Sequence, residues 1–173
     1  MGIHVGTFVT ERGEPLQPHR LLAELRRRAE QGDASAQNDL GCAYAAGMMG
    51  VSRDANAALK WFRKAADQGL PQGLGNLGKL LLHGGAGEKD ADEALTLLRR
   101  AVELGDSQGM CHLAWAYRFG VGVKQDFAKA AELYRLAADR ENPAGWSGLA
   151  CLYMEGEGVP QDHERAAELF AKS

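Results

Sequence analysis

Apolar and small residues recur along the chain at i, i+3, i+4 and i+7, the period of an amphipathic helix, in blocks that come in pairs. The first block of each pair predicts a helix over Ala34 to Ala46, Pro71 to His83, Ser107 to Phe119 and Pro143 to Glu155. A Gly-rich polar stretch follows, and then a second helical block that opens on an aspartate. Asp54, Asp90, Asp126 and Asp162 lie at steps of 36 residues, and Leu40, Leu77, Leu113 and Leu149 at steps of 37, 36 and 36. A fixed period of this size marks a solenoid, in which one helix–turn–helix unit stacks on the next. The expected fold is all-α, with four copies of the unit.

Local chemistry agrees with the periodicity. Aspartate is a preferred N-cap, because its carboxylate accepts from free backbone N–H groups at the positive end of the helix. Glu93, three residues after Asp90, completes a capping box. Gly47, Gly84, Gly120 and Gly156 end the first helices, where a left-handed residue satisfies the last carbonyls. Pro71 and Pro143 stand at helix starts, where a missing N–H costs little. Gly41, Gly78, Ala114 and Ala150 follow the repeating leucine and let backbones approach. Large residues fill between them: Trp61 and Phe62 correspond to Leu97 and Leu98, Leu133 and Tyr134, Leu169 and Phe170.

The segment LLAELRRRAEQG reads as a second helix without a first, and caps the array. Aligned with LKWFRKAADQG, it places Glu24 at Trp61 and Arg28 at Ala65, polar residues at packing positions, as a terminal helix with water on one side requires. The expected division is an N-terminal extension over 1–17, a cap helix over 18–32 and repeats over 33–69, 70–105, 106–141 and 142–173. The extension reads as a disordered terminus or an extended arm. The final helix is about one turn shorter than its predecessors, which fits either a natural end or a longer array.

Charge and cysteine narrow the function classes. The net charge is −3, and clustered Lys and Arg are missing apart from Arg26 to Arg28, which reads as a solvated helix face. Nucleic acid is therefore not an expected partner. No apolar run reaches the roughly 18 residues of a membrane span. Three cysteines, Cys42, Cys111 and Cys151, fit free thiols in a reducing compartment better than a disulfide framework. The cytoplasm is the expected location, with the periplasm or the exterior as alternatives if a leader was removed.

The strings LGCAYAAG, GVGVKQD, GEGVPQD, KAAELY and WFRKAADQG resemble the Sel-one-like repeat, a relative of the tetratricopeptide repeat, over roughly Leu21 to Ser173. The resemblance implies a right-handed α-solenoid whose first helices line a concave groove. It also implies an adaptor or scaffold, with secretion, signalling or toxin partners among bacterial relatives. Two departures stand out: Gly87 replaces the valine found at Val51, Val123 and Val159, and Glu141 replaces the closing glycine. Both copies are expected to be locally looser.

Candidate chemistry is sparse. Gly73, Gly75 and Gly78 spell GxGxxG, and Gly73 to Lys79 spell GxxxxGK, but both fall inside a predicted helix and Leu80 stands where a phosphate loop needs Ser or Thr. His83, Cys111 and His112 do not share the i, i+4 spacing of a helical metal site, and Cys151 has no nearby histidine base. No catalytic set, metal or cofactor is expected. On the groove side implied by the resemblance stand Lys79, Leu82 and His83, then Trp115, Arg118 and Phe119, then Cys151 and Glu155, whereas Asn38, Cys42 and Ala46 make the first copy bland. These residues predict a non-enzymatic site for a peptide or protein, led by Trp115, Phe119 and Arg118. The competing role for Trp115 and Phe119 is packing between copies, and Trp146 reads as core. The alternative function is self-association through the C-terminal end near Leu169 and Phe170.

Overall fold

The computed structural model describes residues 18–84 and 90–173. The N-terminal extension over 1–17 and the Gly87 departure lie outside them. The described residues form nine helices: α1 (Pro18–Glu30), α2 (Ala34–Ala46), α3 (Ala55–Asp67), α4 (Pro71–His83), α5 (Ala91–Glu103), α6 (Ser107–Phe119), α7 (Phe127–Ala138), α8 (Pro143–Glu155) and α9 (His163–Phe170). The four first helices have the limits that the apolar pattern predicts. The chain divides into two compact units, one up to Gly73 and one from Leu74, with the boundary inside α4.

Capping explains where the helices begin and end. Asp54, Asp90, Asp126 and Asp162 are all extended N-caps, their carboxylates accepting from the backbone N–H three residues on at 2.9–3.0 Å. Gly47, Gly84, Gly120 and Gly156 adopt φ of 70, 66, 66 and 71°, the left-handed turn that stops the first helices. A second set of caps opens the first helices: Asp33, Asp106 and Asn142 accept from Ala36, Gly109 and Ala144.

In the first unit, Leu22, Leu25, Ala29, Ala36 and Leu40 form the core between α1 and α2. Gly41 holds the α2–α3 approach, since a Cβ there would lie 2.6 Å from the Phe62 ring. Arg28, the polar residue at a packing position, salt-bridges Asp33, the cap of α2. Arg27 pairs with Glu24 and Arg26 donates to the Tyr44 hydroxyl, so the arginine run is spent within the unit. Buried Gln37 donates to the Ala29 carbonyl and accepts from Gln68.

In the second unit, Met110, Ala114, Tyr134, Ala137, Leu149, Leu152 and Leu169 belong to one core spanning α6 to α9. Glycine and alanine meet in register: a Cβ on Gly109 would lie 2.8 Å from that of Ala101, and one on Gly145 would lie 2.8 Å from that of Ala137. The apparent phosphate-loop glycines serve packing inside α4. A Cβ on Gly75 would strike the Asp106 carboxylate, and one on Gly78 would lie 2.8 Å from Leu98.

The second helices do not bury their paired large residues alike. Phe62, Leu98 and Tyr134 are buried, but in α9 it is Leu169 that is buried while Phe170 is 40% exposed. Trp146 is half-buried against the core.

Candidate interaction face

The sequence-predicted positions in the second unit lie on α4, α6 and α8, and the structure brings several into one aromatic series. The His83 ring lies 4.5 Å from the Trp115 ring, and Trp115 lies 5.2 Å from Phe119, both tilted. Such separations and angles suit the ring quadrupoles and are worth roughly 0.5–1.5 kcal/mol per aromatic pair beyond burial. Trp115 and Phe119 meet because they are four residues apart on α6, one turn of helix. Trp115 is half-buried, whereas Phe119 is 52% exposed.

Arg118 frames one end of the series. Its Nε donates to Glu157 Oε2 at 2.7 Å, and its guanidinium carbon lies 5.1 Å from the Phe119 ring centroid. Burial opposes the Arg118 charge, but the hydrogen bond and ion pair with Glu157, with a smaller contribution from Cys151, outweigh it, holding the guanidinium above its ordinary range. The arginine is therefore a cation held in place by Glu157 through its Nε.

His112 is the residue that sequence reasoning left out of the face. It is three residues before Trp115 and seven before Phe119, on the same side of α6. Burial, with the charges of Lys79 and His83, pushes its imidazole down to about 3, so its neutral form is favoured. The helical spacing was available as a signal; weighing His112 only as a metal ligand hid it.

The remaining predicted positions differ among themselves. Lys79 and Cys151 are half-buried, and His83 and Glu155 are exposed. Leu82 is 1% exposed and sits in the core, so it offers nothing to a ligand. Its carbon-rich side chain follows the apolar stripe of α4 with Leu74, Leu77 and Leu81. Met154, exposed on α8, adds apolar surface.

Other chemistry is quiet. Cys42, Cys111 and Cys151 are free, and burial followed by the Asp106 charge pushes the Cys111 thiol up to about 12. Among the described residues no group of three or more His, Cys, Asp or Glu side chains could hold a metal, and no helix is long and apolar enough to cross a membrane.

Comparison with known proteins agrees with the repeat. The Sel1 repeat family model matches residues 34–70, 71–106, 107–142 and 147–173. The chain is 34% identical over 79 residues to the ERAD-associated E3 ubiquitin-protein ligase component HRD3A of Arabidopsis thaliana, a match covering 46% of this chain and 11% of the plant protein. Its fold is similar to that of a Sel1 repeat protein from Oxalobacter formigenes, with TM-score 0.79 and 32% identity over 92% of this chain and 63% of that one. It is also similar to a protective antigen of uropathogenic Escherichia coli with an SLR fold, with TM-score 0.71 and 34% identity over 87% of this chain and 32% of the antigen. The chain thus spans less than two thirds of each. Sel1 repeat proteins are α-solenoids that generally mediate protein–protein interaction and are generally non-catalytic. With four matched units, each capped and closed at equivalent positions, this chain belongs to the Sel1 repeat family.

Proposed function

We propose that this chain is a non-enzymatic adaptor that holds a peptide or protein partner against the first-helix face of its second unit. The observation that carries the reading is the aromatic series His83, Trp115 and Phe119, ending in a phenylalanine 52% exposed beside a guanidinium pinned by Glu157. Exposed aromatic surface next to an ordered arginine is the composition of interface hot spots. The mechanism is preorganisation: the rings and Arg118 are already held, so binding loses little side-chain entropy. Lys79, His83, Cys151 and Glu155 supply the polar rim, and a secretion, signalling or toxin-related protein is the class of partner that the family resemblance suggests.

The test compares partners captured from the native source by the wild-type protein and by a Trp115→Ala, Phe119→Ala variant that keeps its helical circular dichroism. Loss of one specific partner, reproduced with that partner purified, supports the face. Truncation of a hot-spot aromatic should weaken binding by about 2 kcal/mol or more, roughly thirtyfold. Equal binding by both proteins sinks the assignment. Phe119→Asp alone is the control for folding, since so exposed a side chain contributes little to the core.

Self-association is the second reading, favoured by Phe170, exposed on α9. Leu169 is buried, so Phe170→Asp is the informative variant: a concentration-dependent larger species that this change abolishes would support it, whereas a size independent of concentration would exclude it.

A further inference from the structure

Away from the aromatic series, α7, α8 and α9 enclose a cavity of about 230 Å³. Arg135, Arg165 and Lys172 line it, with Asp139 as its one acidic wall. Trp146 and Tyr153, both half-buried, supply flat apolar sides. Three cations against one carboxylate stand out on a chain whose net charge is −3. Arg165 is engaged by Glu168 at 2.6 Å, but Arg135 and Lys172 have no salt bridge among the described residues.

The preceding copy shows what makes this place different. At the positions of Trp146 and Lys172 it carries Met110 and Leu136. Met110 is 2% exposed and part of the core. This register thus has a half-buried indole where the preceding copy has a buried methionine, and a lysine where it has Leu136, a leucine already 37% exposed. A volume of this size is below the roughly 300–1,000 Å³ of drug-sized ligand pockets. It suits one planar anion and a short apolar neighbour.

We infer that this recess is a carboxylate-binding pocket that takes one acidic group of a protein partner, with Arg135 and Lys172 meeting the anion and Trp146 covering the adjoining apolar atoms. Arginine favours carboxylate because its planar fork can donate two parallel hydrogen bonds. The carboxylate can come from a chain terminus or from an acidic side chain, and both present the same chemistry. The pocket is independent of the aromatic series, so either can fail without the other.

The experiment follows the Trp146 indole N–H by NMR, assigned with Trp146→Phe, during titration of the full chain. The probes are N-acetyl-phenylalanine, its amide, and N-acetyl-glutamate α-amide. At least one carboxylate should shift the Trp146 signal and bind about tenfold or more tighter than the neutral amide, the effect of a charge-assisted hydrogen bond. Preference for N-acetyl-phenylalanine would assign a terminal carboxylate, and preference for the glutamate derivative an acidic side chain. Arg135→Gln with Lys172→Gln should remove the shift while leaving helical circular dichroism unchanged. No Trp146 response to any probe, equal binding of acid and amide, or full binding by the double variant would overturn the assignment.

Discussion

α2 and α6 are the same helix in different copies, and their side chains have opposite consequences. Both run for thirteen residues from an aspartate cap to a left-handed glycine, Gly47 at φ 70° and Gly120 at φ 66°. Where α2 carries Asp39, Cys42, Ala45 and Ala46, α6 carries His112, Trp115, Arg118 and Phe119. The caps diverge as well. Asp33 is held below its ordinary value, first by the Ala36 N–H and then by Arg28, whereas burial raises Asp106 above its own. The repeat therefore dictates the backbone, and the copies differ chemically at the positions that the repeat leaves open.

The largest test of this difference is acid. His112 has its folded value lowered from 6.5 to about 3, so the folded state resists a proton that the unfolded chain accepts. Its contribution is fully present above the unfolded value and is lost as pH falls from about 6.5 toward 3. Lys79 and His83 on α4 are the charges that face it. His112→Gln should make the protein more acid-resistant, by up to a few kcal/mol at about pH 4. Thermal unfolding of both proteins from pH 7 to pH 4 checks this; parallel curves would mean that His112 takes up protons in the folded state without penalty.

The caps provide the next test. Asp33→Ala removes both the hydrogen bond to Ala36 and the salt bridge to Arg28, and should cost about 1–2 kcal/mol at neutral pH. Most of that is the cap, because a half-exposed ion pair adds little. Urea midpoints of Asp33→Ala and Asp33→Asn separate the two terms: Asn keeps the cap and should lose only the smaller part. Equal losses would assign the stability to the ion pair instead.

What could be read in the sequence follows the same division. Helix limits were legible because caps and closing glycines act within a few residues, as with Asp90 on Glu93 or Gly120 on α6. The ring series was half legible: Trp115 and Phe119 share a helix face by spacing, but their meeting with His83 depends on how α4 lies against α6. Leu82 was misplaced because a helical wheel gives direction but not the width of the buried stripe on α4. The burial of Leu169 and exposure of Phe170 could not be read for a related reason, as the alignment that pairs them with Leu133 and Tyr134 does not say which one a neighbouring helix covers. The cavity beside Trp146 needed coordinates, because three helices contribute to it.

A backbone requirement shared by the copies gives a smaller and cleaner effect. The turn that precedes α2 has Gly32 at φ 96° and the turn that precedes α6 has Gly105 at φ 83°; before α8 the residue is Glu141, at φ 57°. Its departure from the repeat thus changes the residue and keeps the left-handed turn. A non-glycine residue there costs on the order of 1 kcal/mol. Glu141→Gly should raise stability by roughly that amount, less the entropy that glycine adds to the unfolded chain. A fall in the thermal midpoint would show that the Glu141 side chain stabilises the turn by more than its backbone strains it.

The smallest effect reverses the sign found at Asp33. Asp106 is 7% exposed, accepts from the Gly109 N–H at 2.7 Å and lies over Gly75, where burial of the carboxylate outweighs the hydrogen bonds. A carboxyl whose folded value is raised contributes stability below the unfolded value of about 3.8, and loses it as pH rises through the folded one. Asparagine keeps the cap without the charge, and Asn142 already fills this role before α8, where its amide donates to Ser107. Keeping the cap while removing the buried charge sets the gain at about a few tenths of a kcal/mol to 1 kcal/mol. The midpoint difference between Asp106→Asn and wild type should thus be positive at pH 7 and shrink toward pH 3, while that for Asp33→Asn is negative at pH 7 and also shrinks. If the two variants moved in the same direction at neutral pH, burial would not be what distinguishes the caps, and the contrast between α2 and α6 would reduce to their outward side chains.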